Sequence, residues 1–303
     1  MRDIPQPAYQ PITGRNLMIL KSLAQWKSQK RDNVIPHSKF NEFIKIRPRV
    51  CINIKRKNFT VKTVDTRREL VQAFRLRYDV FGKEFMGKTF PVGLDQDRYD
   101  SAADHLVIID EKVKKVVGTY RLICSSFEDR FYSASEFNLD GFISEPGVKL
   151  ELSRACIAKS HRNGIVMGLL WKGLGAYMNA VSARYLFGCS SIQTVVPQEI
   201  TAVYHSLQNS GSLVEEYGIH PIGEFRIEDF AESAKQVADA QEAVEEDALT
   251  KSLIPPLLNS YLKAGARIFG EPALDKKFRC IDFLTVLDVE KLSGGHQRRF
   301  LEG

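Results

Sequence analysis

The chain has 303 residues, of which 44% are apolar and 26% charged, enough to bury a sizeable core as one large domain or two small ones. No apolar run approaches the roughly 18–20 residues that cross a bilayer, and the N-terminus lacks the apolar stretch and cleavage site of a secretory signal. The five cysteines (Cys51, Cys124, Cys156, Cys189 and Cys280) are scattered and form no CxxC pair, so reduced thiols in a cytoplasmic protein without bound metal are expected, and zinc is disfavoured.

The formal charge of +6 is uneven. Residues 1–60 hold thirteen basic and three acidic side chains, a net +10, which leaves −4 for the remainder. Residues 1–58 therefore read as a basic N-terminal extension, and residues 59–303 as the main domain. Within the extension, Leu17, Leu20, Leu23 and Ala24 share one helical face beside Trp26, Lys21 and Lys27. This suits either a helix lying in a membrane interface or a short helix packed on the domain surface. A basic arm of this kind has anionic lipid, an acidic protein or nucleic acid as its natural partners. Nucleic acid is set aside, because the arm lacks interleaved aromatics and any known binding module.

A short strand from Phe59 to Val64 leads into a helix capped by Asp65 or Thr66, with Glu69 in its first turn and Leu70, Phe74, Arg77 and Phe81 at helical spacing. Residues 87–103 form a loop rich in Gly, Pro and Asp. Strands follow at His105 to Asp110 and Val116 to Ile123, joined at Asp110-Glu111-Lys112, and then at Lys149 to Ala158. A long helix is expected from about Gly164 to Ala180, a strand from Tyr185 to Cys189, a helix over 197–209, and an acidic, Ala-rich helix over 228–249 that reads as an insertion. Pro255-Pro256 opens a further helix ending near Gly265, and Phe278 to Leu287 forms a final strand. The order gives a mixed α/β layer architecture. Neither a GxGxxG turn nor a GxxxxGK[ST] loop is present, which excludes the common nucleotide folds.

Several charges sit where a solvated surface would not need them. Arg77 lies on the apolar side of its helix, Arg121 lies inside the strand Val116 to Ile123, and Glu151 and Arg154 share the strand Lys149 to Ala158. Asp97 and Asp100 are three apart in the loop. Buried charges are costly unless paired, so these residues are expected to converge, as a structural network or as a site.

The pattern Arg77-x-x-x-Phe81, Asp97-x-x-Asp100, Arg121, Glu151-x-x-Arg154, with 21 residues from Asp100 to Arg121, resembles the signature of acyl-homoserine lactone synthases. A wider resemblance covers residues 59–292. RLRYDVFGKEF, HLVIIDEKVKKVVGTYRLI, LELSRACIAKSHRNG, LLWKGLGAY, RYLFGCSSI and PPLLNSYLKAGARIFGEPALDKKFRCIDFLTVLD are similar to the ornithine-lipid synthase N-acyltransferases, a group that includes bacterial proteins labelled hemolysins. The resemblance implies an α+β fold of the GCN5-type N-acyltransferase kind, with a mostly antiparallel sheet flanked by helices. It implies transfer of a 3-hydroxyfatty acyl group from the phosphopantetheine thioester of acyl carrier protein, or from acyl-CoA, to the α-amine of an amino acid such as ornithine. No permanently bound cofactor is implied.

Under that resemblance Glu151 is the expected base, with Arg121 and Asp100 as its catalytic companions. Arg77, Phe81, Asp97 and Arg154 are expected to bind the amino acid, and the strand after Arg154 is expected to offer N–H groups to the oxyanion. The phosphate of the donor is expected near Arg162 and Gly164 at a helix N-terminus, although the stretch Arg162 to Met167 departs from the [RQ]-x-x-G-x-[GA] turn that holds coenzyme A. Lactone synthases lack the block from Pro255 to Leu287. The alternatives are a lactone synthase-like or coenzyme A-dependent enzyme of the same fold, and a membrane-active hemolysin-like protein without enzymatic activity. A lipid-like product would suit an enzyme held peripherally at the inner face of the membrane by residues 1–58.

Overall fold

The computed structural model describes residues 46–88, 92–240 and 248–292; the helix expected around Leu17 to Ala24 lies outside them. Two strands, β1 (Asn53–Arg56) and β2 (Phe59–Thr63), form a hairpin. Ile52 is buried, and Asp104 accepts hydrogen bonds from the Arg49 and Val50 N–H groups, both at 3.0 Å. The sheet therefore claims residues counted above with the extension, and the boundary at residue 58 moves toward the N-terminus.

Helix α1 (Arg67–Arg77) starts at Thr66, whose hydroxyl accepts from the Glu69 N–H, and runs directly into a π-helical stretch, Tyr78–Phe85. Strands β3 (Asp104–Asp110) and β4 (Lys115–Cys124) follow, then β5 (Phe137–Asn138), the single turn α2 (Asp140–Ile143) and β6 (Val148–Ile157). Next come α3 (Ile165–Val181), β7 (Ala183–Ile192), α4 (Pro197–Asn209), β8 (Leu213–Val214) and β9 (His220–Pro221). Within and just beyond the acidic stretch 228–249, α5 covers Phe230–Ala240 and α6 covers Ala248–Leu253. The last elements are α7 (Pro256–Ala264), β10 (Arg267–Asp275) and β11 (Cys280–Asp288).

Among the described residues, nine strands form one sheet in the order β1-β2-β3-β4-β6-β7-β11-β10-β8. All neighbours are antiparallel except β6 with β7 and β10 with β8, which are parallel. Side chains alternate across the pleat. Leu106 and Ile108 thus join the core under α3 with Leu170 and Leu174, while Val107 joins the opposite core with Leu70, Ala73 and Phe74 of α1. Gly173 lets α3 lie close to the sheet, since a Cβ there would stand 2.5 Å from Val61 and 3.0 Å from Leu106.

The functional feature of the sheet is where it fails to close. The β6–β7 ladder runs from Val148↔Ala183 to Glu151↔Phe187 and stops, although β6 continues to Ile157 and β7 to Ile192. On the other side of β6, Arg154 and Ala155 together face only Tyr120, and Arg154 has φ +51°. A bulge of this kind bends its strand and re-aims its side chains. β6 therefore veers from β7 and opens a wedge.

Candidate active site

The wedge contains a cavity of about 350 Å³. Leu152, Ser153, Arg154 and Ala155 line it from β6, Leu186 to Ser191 from β7, and Asp282, Thr285 and Leu287 from β11. Leu257, Leu258 and Tyr261 of α7 add an apolar wall, Phe81, Phe85, Tyr120, Tyr132 and Phe278 add aromatic rings, and Asp275 lines the cavity from β10. An elongated apolar ligand with a polar head fits such a lining.

Five of the sequence-predicted residues converge beside this cavity. Arg77 is fully buried; its Nε donates to Asp95 Oδ2 at 2.9 Å, and Nη1 and Nη2 form a fork on Asp100 at 2.6 and 3.2 Å. Arg121, also fully buried, donates from Nε to Ser153 Oγ at 2.8 Å and from Nη1 to Asp97 Oδ1 at 2.6 Å. Arg154 Nη2 donates to Asp97 Oδ2 at 3.2 Å, and its Nε lies 3.4 Å from Asp95. Local sequence builds the loop that presents these acids: Asp97 caps the short helix Arg98–Ser101, and Asp100 accepts the Asp97 N–H in return, a reciprocal cap.

Three aspartates against three arginines leave the network nearly neutral. Burial works against ionisation of Asp97, but the charges of Arg121 and Arg154 hold it well below the usual carboxylate range. Asp95 is also lowered, against burial, by Arg77 and Arg154. His105 sits beneath Asp100; burial, with Arg77 and Arg121 nearby, pushes its pKa down to about 4. Phe81, Tyr132 and Phe278 surround the Arg154 guanidinium at 5.8, 5.0 and 5.5 Å. Of the five, only Arg154 lines the cavity, as does Phe81; Arg77, Asp97, Asp100 and Arg121 stand behind it.

Glu151 does not join the arginines. Its two oxygens accept from Ser133 N–H and Oγ, each at 2.6 Å, and from Tyr132 N–H at 2.8 Å. It is fully buried, which raises its pKa against the pull of those hydrogen bonds, and it is not among the cavity-lining residues. Arg162 donates from Nε to Ile157 O at 3.0 Å and pairs with Glu84 at 2.8 Å, at the entrance to α3. Gly164 precedes α3 with φ +86°, and open space surrounds its missing Cβ.

Sequence reasoning missed a second charged group. Glu136, Asp275 and Asp282 are buried, and one oxygen from each lies within 4.8 Å of the others, a spacing that an ammonium or other cation would bridge. No arginine or lysine side chain hydrogen-bonds to them among the described residues. Ser191 Oγ and Cys280 Sγ donate to Asp282, the Lys277 and Phe278 N–H groups donate to Asp275, and Cys189 Sγ lies 3.5 Å from Glu136. Burial, followed by the charge of Asp282, raises the pKa of Glu136 well above the carboxylate range. Burial raises Asp282 to about 6, helped by Asp275 and opposed by the Ser191 hydrogen bond. One signal was available: Asp282 interrupts the apolar run Cys280 to Leu287, as Arg121 interrupts its own strand.

Residues 76–172 match the acetyltransferase (GNAT) domain family. The chain is 30% identical over 252 residues to an L-ornithine N(alpha)-acyltransferase of Rhizobium meliloti (strain 1021), covering 78% of this chain and 82% of the relative. It is 30% identical over 257 residues to the protein of that name from Agrobacterium fabrum (strain C58 / ATCC 33970), covering 77% of this chain and 84% of the relative. Among solved structures, an N-acyl amino acid synthase from uncultured soil microbes is similar at 10% identity and a TM-score of 0.44, covering 77% of this chain and 93% of that one.

Proposed function

The chain belongs to the family of the L-ornithine N(alpha)-acyltransferases and is an acyltransferase, and from that premise we propose that its acceptor is the α-amine of L-ornithine and its donor a 3-hydroxyacyl thioester on acyl carrier protein. The observation that carries this reading is the distribution of charge around one cavity. Arg154 offers a guanidinium on β6, and Asp275 and Asp282 line the cavity from β10 and β11 with Glu136 beside them, none hydrogen-bonded to an arginine or lysine side chain among the described residues. A diamino acid complements that arrangement: its α-carboxylate pairs with the guanidinium, and its ammonium groups neutralise the carboxylates. The apolar wall from Leu152, Leu257 and Leu258 accommodates the acyl chain.

Arg77, Asp95, Asp97, Asp100 and Arg121 act as the frame that fixes Arg154, and Glu151 acts by anchoring the Tyr132–Ser133 segment. The stretch after Arg154, beyond the last β6–β7 pair, serves the oxyanion through its backbone N–H groups. The carrier phosphate docks at Arg162 and the N-terminus of α3 at Gly164. A single phosphate needs less of a cradle than a pyrophosphate, which favours the carrier protein over coenzyme A.

The test is to offer the purified protein 3-hydroxyacyl carrier protein or the matching acyl-CoA with ornithine, lysine, glycine and glutamine, and to identify the amides by mass spectrometry. N(alpha)-acylornithine made faster from the carrier protein is expected; acylation of glycine as fast as ornithine would overturn the acceptor assignment. No helix among the described residues is long and apolar enough to cross a membrane. The basic residues upstream of Ile46 instead hold the enzyme peripherally on an anionic leaflet. Co-sedimentation with anionic vesicles is expected for the full chain and not for a chain beginning at Ile46; equal binding would discard this role.

A further inference from the structure

We propose that Asp282 is the general base that removes a proton from the α-ammonium of the amino acid, an inference that rests on the acceptor reading above. Every other acid around the wedge is committed elsewhere. Asp95, Asp97 and Asp100 are held by guanidinium groups. Glu151 is filled by three donors and lies off the cavity. Asp275 accepts two backbone N–H groups, and Glu136 does not line the cavity. Asp282 lines it and, among the described residues, accepts only from the side chains of Ser191 and Cys280.

Position singles out the same residue. Asp282 stands opposite Ser191 in the β7–β11 ladder, beyond the point where β6 leaves β7. The charge of Arg154 reaches Asp282 and opposes the effect of burial there. An α-carboxylate held by Arg154 carries its α-nitrogen one carbon away, toward Asp282, and leaves the side-chain ammonium for Asp275. The groups facing Asp282 are Arg154 from β6, Cys189 and Ser191 from β7, Asp275 from β10, Cys280 from β11, and Glu136 with Tyr132 from the segment before β5. Together with burial they leave its pKa at about 6, so it is ionised at neutral pH yet basic enough to accept a proton.

The proton balance closes without another reactant. The Asp282 carboxylate takes one proton from R–NH3+, and the neutral amine attacks the thioester carbonyl to form the C–N bond. As the C–S bond breaks, the nitrogen loses a second proton and the departing thiolate gains one. Asp282 then returns its proton to solvent, so one proton is released for each amide formed.

The test compares wild type with Asp282→Asn, after thermal melts establish that both are folded. The expected result is a fall in kcat of about 100- to 10,000-fold with ornithine and loss of the acidic limb of the kcat/KM–pH profile. With the α-aminooxy analogue of ornithine, a nucleophile already neutral at the assay pH, the variant is expected to lose less than tenfold. An unchanged acidic limb, or an equal loss on both nucleophiles, would overturn the assignment. Should the variant fail to fold, the wild type decides: its acidic limb must coincide with the titration of the Asp282 carboxyl followed by NMR, and a mismatch overturns it. Wild type that makes no acylornithine refutes the acceptor reading instead, and D282N is then judged on the amino acid that wild type does acylate.

Discussion

Two groups of buried charge flank the wedge, and they are built on opposite principles. The cluster of Arg77, Arg121 and Arg154 with Asp95, Asp97 and Asp100 matches each guanidinium with carboxylate. The cluster of Glu136, Asp275 and Asp282 has no cationic hydrogen-bond partner among the described residues, and burial answers by raising the pKa of two of its acids. Compensated charge makes a rigid wall. Uncompensated charge makes a place where a cation or a proton is worth more than it is in water.

The sharpest way to break the comparison is to unbalance the compensated side. Arg77→Ala strands Asp100 and Asp95 without their principal donor, and removing one partner of a buried pair costs about 3–5 kcal/mol. The expected outcome is a fall of that size in unfolding free energy by urea titration, with activity lost alongside the fold. A loss below 1 kcal/mol would mean that the arginines do not neutralise the aspartates as the geometry implies. Arg154→Lys probes the cavity-facing end of the same network. It keeps the charge and loses the fork, and a charged hydrogen bond is worth about 1.5–3 kcal/mol. KM for the amino acid should therefore rise about 10- to 100-fold, with a small change in stability; an unchanged KM would remove Arg154 from the acceptor site.

The compensated cluster was largely legible in the sequence, because Arg121 inside an apolar strand and Glu151-x-x-Arg154 on the next advertise charges that must be paired. Asp95 was not, since nothing separates it from the other polar residues of its loop. The acidic cluster was invisible as a cluster: Glu136 and Asp282 are far apart in the chain, and only the pairing of β11 with β7 brings Asp282 to the wedge. Glu151 shows the converse limit, for its place in the pattern predicts convergence with the arginines, whereas the fold gives its oxygens to Tyr132 and Ser133. Strand β10 went unread because Gly270, at φ +72°, and Pro272 break the alternation where the β10–β11 register shifts. The wedge itself depends on a bulge, which no periodicity announces.

On the uncompensated side the sign of a mutation should reverse. Asp282 keeps its proton to about pH 6 in the folded chain, against 3.8 for the free side chain, and Glu136 is shifted in the same direction. The folded state therefore binds more protons than the unfolded state over that window, and each acid lowers stability as pH rises through it. Removing the charge should recover what is lost, for Asp282 about 1–3 kcal/mol at neutral pH by the free energy of its shift from 3.8 to about 6, less any weakened hydrogen bonds. Asp282→Asn and Glu136→Gln should thus melt above wild type at pH 8, with the gain vanishing near pH 4. Destabilisation at both pH values would show the acids to be ordinary structural groups.

The smallest effect concerns a polar pair that is neutral. Tyr120 Oη and Tyr261 Oη share a hydrogen bond of 2.5 Å at the apolar wall of the cavity. Tyr261→Phe leaves the Tyr120 hydroxyl unpaired in a buried site, at a cost of about 1–3 kcal/mol, whereas removing both hydroxyls exchanges one matched set for another and is nearly neutral. A double-mutant cycle by thermal unfolding should show the second substitution restoring most of what the first removes. In the arginine network no such rescue follows from deleting a single partner, because each aspartate there answers to more than one guanidinium. Additive losses in the tyrosine cycle would mean that the two hydroxyls stabilise the wall independently, and that pairing is not what permits polar groups to be buried beside the acyl cavity.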